Sequence, residues 1–436
     1  MNRQLTLGLS DTMQAPGVLG LVRHDVIHVK RSTFLNGLAN RVHRWFRLTP
    51  SFGPELVQEM IERLELQKGD VILDPFSGAG TTLIEAKLEG RTAFGFEINP
   101  LLHFVNEACL EWDVCPKALR DQLERLRAET LRGRGIDISD LEKHGLSIPP
   151  IHNPTRWWRP DVLVELLFLR RAILQTEGAS VRRLLLLALA GVLVPDLTNV
   201  TLGKLQLHFI DRSEHSIDVW KTYSDHVEVI AGDLEILQAS DAHTHGRAVC
   251  LHQNAMDLSG LKIDQKVTGV ITSPPYPNRY SYVWNTRPHL YMLGLIEHAK
   301  EASDLDKKTI GGTWGTATSE LSKGTFEPAN DAVAASALAT VEEIRKHDNL
   351  MANYVMHYFN RLSQQILEME KITSDEARLA YVVGNSWIKG VYVETDVILA
   401  EIVDRLSIGY KTFDLHRFRR RHSGVRLYET IVYARR

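Results

Sequence analysis

Cysteine is scarce in this 436-residue chain: Cys109, Cys115 and Cys250 are the whole supply. No two of them form a CxxC pair, which argues against a disulfide framework and against a structural zinc site. Two histidine pairs, His24/His28 and His243/His245, complete no ligand motif, so no metal is expected. Long apolar runs are missing too. The longest, Leu184 to Val194, is too short to cross a bilayer and stops at Pro195, so it reads as a buried core helix. No basic segment followed by an apolar stretch opens the chain, so no secretory signal is visible, and a cytoplasmic protein without membrane contact is expected. Nor is one sign of charge in excess. The formal net charge is −3, so any nucleic-acid site has to be a local patch rather than a field over the whole molecule.

What is present suits a full-sized soluble core: 44% hydrophobic and 24% charged residues. The length allows two or three ordinary domains, or one large α/β domain with insertions. Residues 1–35 have weak periodicity and read as an irregular arm. From Pro54, Leu56, Met60, Ile61 and Leu64 recur at helical spacing. Val71-Ile72-Leu73-Asp74 then reads as a buried parallel strand, and Pro75-Phe76-Ser77-Gly78-Ala79-Gly80-Thr81-Thr82 as a Gly-rich turn entering a helix. A second strand, Thr92 to Glu97, closes at Asn99-Pro100. Strand, Gly-rich turn, helix, strand and acidic residue make a nucleotide-binding βαβ unit. The glycines let backbone approach a ligand, and Glu97 is placed to accept hydrogen bonds from two ribose hydroxyls. The plainer alternative is an ordinary turn with a solvated glutamate.

A second feature lies nearly two hundred residues on. The apolar run Val267 to Thr272 breaks into Ser273-Pro274-Pro275-Tyr276. Neither proline can donate to a ladder, so a strand is expected to end there with a hydroxyl, a rigid carbonyl and a ring at the sheet's ligand-binding edge. Between the two features, residues 116–245 interrupt the α/β alternation with helical patterns at 118–131, 159–174 and 181–193. Arg156, Trp157, Trp158 and Arg159 there form an aromatic–cationic cluster that fits nucleic acid, or a helix start anchored by two core tryptophans. Asn254 and Asp257 follow a short strand at 248–251; Asp257 suits an adenine amino group or a helix cap.

After Tyr276, Asn278, Arg279 and Tyr280 open a stretch rich in Tyr, Asn and Arg. A helix is expected over 287–295, a long polar loop over 301–335 with Gly311, Gly312 and Gly315, and a helix over about 341–370. A strand at 380–386, a helix at 396–406 and a terminal strand pair complete the chain. Residues 411–436 hold eight Lys/Arg against two Asp/Glu, among them Arg419, Arg420 and Arg421. That is a local basic patch or a solvated hairpin.

Together the two motifs carry a resemblance. Asp74 to Thr82 resembles the cofactor loop of S-adenosylmethionine-dependent DNA amino-methyltransferases. Ser273-Pro274-Pro275-Tyr276 resembles their catalytic tetrapeptide, whose first residue is Asp, Asn or Ser. The resemblance covers roughly residues 45–110 and 245–436 but not the insert. It implies a Rossmann-like α/β methyltransferase domain over 36–115 and 246–436, with a mostly parallel seven-stranded sheet flanked by helices. A largely helical insertion at 116–245 and a loop-rich one at 277–345 are the candidate target-recognition regions.

The implied catalytic residues are Ser273, Pro274, Pro275 and Tyr276. The implied cofactor set is Phe52, Asp74, Pro75, Phe76, Ser77, Gly78, Gly80, Thr81, Thr82, Glu97, Ile98, Asn254 and Asp257, holding S-adenosylmethionine. Double-stranded DNA is the implied partner, with an associated restriction or defence system. The serine form of the tetrapeptide is associated with cytosine N4, and Asp or Asn forms with adenine N6. Both bases stay open, with N4-cytosine ahead. An RNA or protein-glutamine methyltransferase and a catalytically silent DNA-recognition module are the other readings. Ring-carbon methylation is disfavoured, because it needs a thiolate after the catalytic strand where this chain has Pro-Pro-Tyr.

Overall fold

β-Branched and aliphatic runs form the central strands of the sheet. The computed structural model describes residues 18–25, 40–48, 50–203, 206–239, 245–261, 263–311, 316–422 and 425–436. The strands are β1 (Val22–Asp25), β2 (Val71–Asp74), β3 (Thr92–Phe96), β4 (Val200–Leu202), β5 (Leu207–Phe209), β6 (Ala248–Leu251), β7 (Val267–Thr272), β8 (Thr373–Gly384), β9 (Ser386–Ile388), β10 (Val391–Val393), β11 (Lys411–His422) and β12 (Val425–Arg435). Eight of them build the main sheet in the order β1-β11-β12-β8-β7-β2-β3-β6. From β6 through β3, β2 and β7 to β8 every pairing is parallel, while β12 runs antiparallel to both β8 and β11. This is a Rossmann-like α/β sheet.

The order positions the site. From β2 the chain steps outward through β3 to β6, then returns to pair β7 on the other side of β2. The carboxyl ends of β2 and β7 therefore flank a topological switch point, where connections leave in opposite directions and a crevice opens.

Alternation along the strands fills both faces. Ile72 and Ile271 pack into one apolar cluster with the helices Pro54–Arg63, Thr81–Leu88 and Pro100–Cys109 and with the insertion. Leu73 and Val270 pack into the other, against the helices Asp331–Arg345, Asn349–Glu370 and Thr395–Arg405. Successive side chains of a strand point to opposite faces, so two adjacent apolar residues feed two separate cores.

The insertion is helical as expected, through Pro116–Arg132, Pro160–Leu174 and Ala179–Val192, with a further helix at Val219–Ala239. Its β4–β5 hairpin was not visible in the hydropathy pattern. Asp233, fully buried on the last of these helices, ties the insertion to the start of the domain. It accepts from Arg44 Nε (3.0 Å), the Trp45 indole (2.8 Å) and the Val42 N–H (3.3 Å). A buried carboxylate is stable only when its oxygens are satisfied in this way.

Three expectations are corrected. Val22–Asp25, within the arm read as irregular, forms β1 and adds an eighth strand to the seven expected. The polar stretch 301–335 is not a long loop: helices occupy Ala299–Lys308 and Thr316–Leu321, and a third begins at Asp331. Glu301 in the first turn and Lys307 and Lys308 in the last complement the helix dipole, which hydropathy alone does not register. The expected 341–370 helix is two helices, because the Asp348 side chain caps Met351 N–H at 3.0 Å and restarts the chain. Gly312 and Gly315 lie outside the described residues.

Candidate active site at the switch point

The Gly-rich turn leaves β2 at Asp74 and enters the Thr81–Leu88 helix through Gly80, whose φ is +87°. A Cβ on Gly80 would come within 2.4 Å of Asn106 Oδ1, so both conformation and space call for glycine. The Asn106 side-chain amide donates to Gly78 O at 2.8 Å and fixes the turn from behind. Opposite, Gly95 of β3 makes room for Ser77, whose hydroxyl would lie 2.2 Å from a Cβ there.

Glu97, just past β3, accepts from Gly78 N–H at Oε2 (2.9 Å) and from Asn99 N–H at Oε1 (2.8 Å). Burial pushes its carboxyl up to about 7, against the lowering pull of the Asn99 and Gly78 amides, with Asp74 adding to the rise. Asp74 is itself fully buried. Burial pushes it up to about 6, opposed by hydrogen bonds from Thr272, Thr82 and the Phe76 N–H.

Across the crevice, β7 ends in Ser273-Pro274-Pro275-Tyr276. The Tyr276 hydroxyl donates to Glu429 Oε1 of β12 at 2.6 Å. Its ring lies on Gly384 at the end of β8, where an added Cβ would sit 2.7 Å from a ring carbon. Sequence reasoning missed both supports, which are distant in the chain and meet only through sheet pairing.

An open crevice joins the two motifs. Pro75, Phe76, Ser77, Gly78 and Thr81 line it from the turn, Glu97 and Ile98 from β3, and Ser273 and Pro275 from β7. Phe52 lines it beside Pro50 and Ser51, and Asn254 beside Gln253. Residues that sequence reasoning did not single out complete the wall: Ala255, Met256, Tyr282 and the segment Lys308-Thr309-Ile310. These apolar, aromatic and polar residues share no spacing that would make a motif.

Several expected residues stand elsewhere. Asp74, Gly80 and Thr82 sit behind the cavity wall and shape the turn rather than line the space. Asp257 is exposed and accepts from the Ser259 N–H (3.0 Å) and hydroxyl (2.6 Å), so it is a turn cap; the neighbouring Asn254 and Gln253 face the cavity instead. Trp157 and Trp158 are buried in the core, which removes them as direct contacts for a macromolecule. Arg159 is consumed by Asp161 and by the carbonyls of Arg212 and His215. Tyr280 is buried too, and the Asn278 side chain caps its N–H at 3.1 Å, leaving Arg279 as the exposed member of that trio. Arg419, Arg420 and Arg421 lie on β11, but their side chains are outside the described residues.

A DNA methylase family model (N6/N4 type) matches residues 29–105, which include the whole Gly-rich turn and Glu97. Over this stretch the chain is similar to the N4/N6 amino-methyltransferase family. Members of this family take their methyl group from S-adenosylmethionine. Among its relatives, the Type II methyltransferase M.BsoBI of Geobacillus stearothermophilus is 23% identical over 422 residues, covering 87% of this chain and 81% of its own. M.MvaI of Kocuria varians, also a Type II methyltransferase, is 21% identical over 399 residues, covering 86% and 84%. The rRNA methyltransferase aviRa from Streptomyces viridochromogenes, a solved structure, spans 92% of each chain at 11% identity and a TM-score of 0.30, too slight a likeness to bear on the site.

The residues lining the cavity fit S-adenosylmethionine chemically. Glu97 has both oxygens fixed by backbone amides and still offers lone pairs toward the cavity for a ribose diol. Amide side chains at 253 and 254 suit an adenine edge. Phe52 and Phe76 supply apolar surface.

Proposed function

We propose that this protein is a DNA methyltransferase that modifies the exocyclic amino group of a base flipped out of a duplex, N4 of cytosine. The observation that supports it best is the shared cavity: Ser273 and Pro275 at the end of β7 line the same space as Glu97 and the Gly-rich turn. Its Type II relatives favour DNA as the substrate and a restriction enzyme as the biological counterpart.

The chemistry follows from the groups at the end of β7. An exocyclic amino group is a poor nucleophile because its lone pair is delocalised into the ring. When bound, S-adenosylmethionine supplies an electrophilic methyl group at its sulfonium. Ser273 Oγ and the Pro274 carbonyl accept the two amino hydrogens and draw the nitrogen towards a tetrahedral form, which turns its lone pair to the methyl. Pro274 and Pro275 hold that carbonyl rigid, so the geometry exists before the base arrives. The Tyr276 ring stacks on the base, offsetting the few kcal/mol that flipping costs. After in-line transfer the nitrogen sheds one proton to solvent. No covalent adduct with the protein is needed, consistent with the three thiols: Cys109 and Cys250 are buried, and Cys115 is exposed just before the insertion.

The serine at position 273 favours cytosine over adenine. Mass spectrometry of nucleosides from DNA of a host expressing the protein tests the reading. N4-methylcytosine is the expected product. N6-methyladenine would move the assignment to the other base, and no methylated nucleoside from an active preparation would overturn it.

A further inference from the structure

A ladder of rings and guanidinium groups leads away from the cavity. Tyr282 lines the cavity and begins the helix Tyr282–Met292, which is tied to the end of β3 by Asn99 Nδ2 donating to Thr286 Oγ1 at 3.1 Å. Two residues on, Trp284 carries the Arg287 guanidinium 3.9 Å above its ring. Arg287 also lies 5.5 Å from the Trp157 ring of the insertion. Trp157 meets Phe209 of β5 edge-to-face at 5.0 Å, and Phe209 is covered by Arg156 at 4.0 Å. Rings and cations thus form a chain of contacts from the Tyr282–Met292 helix to the insertion hairpin.

Arginines of the insertion differ in their partners: Arg120 pairs with Glu228 and Glu235, Arg134 with Glu165 and Arg183 with Glu111, whereas Arg125, Arg182 and Arg212 reach neutral acceptors and Arg170 keeps a buried Nε without a partner. Among the described residues, Arg156 and Arg287 have neither a carboxylate nor a hydrogen-bond acceptor for their side chains, and the buried Arg287 Nε is left without any partner. A guanidinium stacked on an aromatic ring keeps its edge free and its plane fixed, the arrangement suited to a phosphate. Phe209 and Ile210 are exposed beside Arg156, so this end of the ladder is open to a large partner.

We infer that Arg156 and Arg287 are phosphate contacts, a strip on which the backbone of the substrate duplex lies between the insertion and the catalytic helix. The assignment rests on the DNA reading above and goes beyond it by naming where the duplex runs. It also recasts the 156–159 cluster. Trp157 works from inside, as the shared support of Arg287 and Phe209, and does not touch the partner.

The test measures binding of the full chain to a fluorescein-labelled, mixed-sequence duplex across a KCl series. Each neutralised phosphate contributes a slope of about −0.9 to log affinity against log salt. Arg156→Gln and Arg287→Gln should each make the slope shallower by about 0.9, and the double variant by about 1.8, whatever the duplex sequence. Arg120→Gln, whose cation is already neutralised, should leave it unchanged. Arg156 is exposed, so its variant carries the test even if the half-buried Arg287 change unfolds the protein, which a thermal melt reports. Wild-type slopes in both single variants would overturn the strip while leaving the DNA reading intact. Wild-type protein with no salt-dependent duplex binding and no methylated base would overturn the DNA reading itself, and the strip with it.

Discussion

The Thr272 hydroxyl donates to Asp74 Oδ1 across 2.6 Å, joining two residues 198 positions apart at the last rungs of β7 and β2. The same oxygen accepts the Phe76 N–H at 3.0 Å. One buried carboxylate therefore sets the start of the cofactor turn and the end of the catalytic strand together. Registry between the two motifs depends on it.

This has a pH consequence. Burial raises the Asp74 carboxyl from 3.8 to about 6. The folded state thus holds its proton more tightly than the unfolded state. Its contribution to stability is complete below about pH 4 and is lost as pH rises to about 6, because there the unfolded chain ionises first. The span corresponds to roughly 3 kcal/mol. Asp74→Asn keeps Oδ1 for Thr272 and Phe76 and removes the titration. Urea unfolding at pH 4 and pH 7 should show the variant gaining on the wild type by a few kcal/mol over that interval; equal pH dependence in both proteins would contradict it.

Glu97 titrates higher, at about 7, for the same first cause. An ionised carboxylate is the better acceptor for two hydroxyls, so binding of S-adenosylhomocysteine should weaken as pH falls from 8 to 6. The limit is about tenfold, the loss of the ionised fraction across a pKa near 7. Glu97→Gln should bind about ten- to a hundredfold more weakly at pH 8 and show no such trend, since hydrogen bonds to a charged group are worth roughly 1.5–3 kcal/mol. Calorimetric titration at three pH values separates the two behaviours.

Ser273 is expected to act on the reacting nitrogen and not on the cofactor. Ser273→Ala should lower kcat about ten- to a hundredfold, the loss of one hydrogen bond strengthened in the transition state. Its Kd for S-adenosylhomocysteine should stay within about twofold. A parallel loss of cofactor affinity would move Ser273 from the chemistry to the binding site.

Legibility in the sequence followed the range of the interactions. The Gly-rich turn and Glu97 were readable because a φ of +87° at Gly80 and a carboxylate at a strand end are local demands. The tetrapeptide was readable because two prolines stop a strand wherever they stand. Asp257 was left between two roles because a cap and a ligand contact draw on the same residue type, and the Ser259 partner is visible only in the structure. Trp157 and Trp158 were ambiguous for a related reason: aromatic rings beside arginines serve cores and surfaces alike, and burial is a tertiary fact. Glu429, Gly384 and Arg287 could not be found from their neighbours in sequence. Glu429 and Gly384 owe their places to strands that return to the site after a long excursion, and Arg287 meets the ring of Trp157 from the distant insertion.

Glu429 and Gly384 give the sharpest test of the catalytic ring. The Tyr276 hydroxyl is held by Glu429 at 2.6 Å, and the ring has glycine backbone directly beneath it. If Glu429 acts through that hydroxyl, Tyr276→Phe and Glu429→Gln should each raise KM for DNA, and the double variant should cost no more than the larger single change. Gly384→Ala approaches the ring from below. A Cβ at 2.7 Å must push the ring or the strand aside, a strain of roughly 1–3 kcal/mol. If the ring yields, stacking on the base is lost, and kcat/KM for DNA falls by at least about tenfold while cofactor affinity is kept. If the strand yields instead, the melting temperature drops and the kinetics of the surviving folded protein stay near wild type. Measuring both on the same preparation shows which surface gives way, and a ring that holds its position at no cost in either would mean that Tyr276 is not the stacking platform.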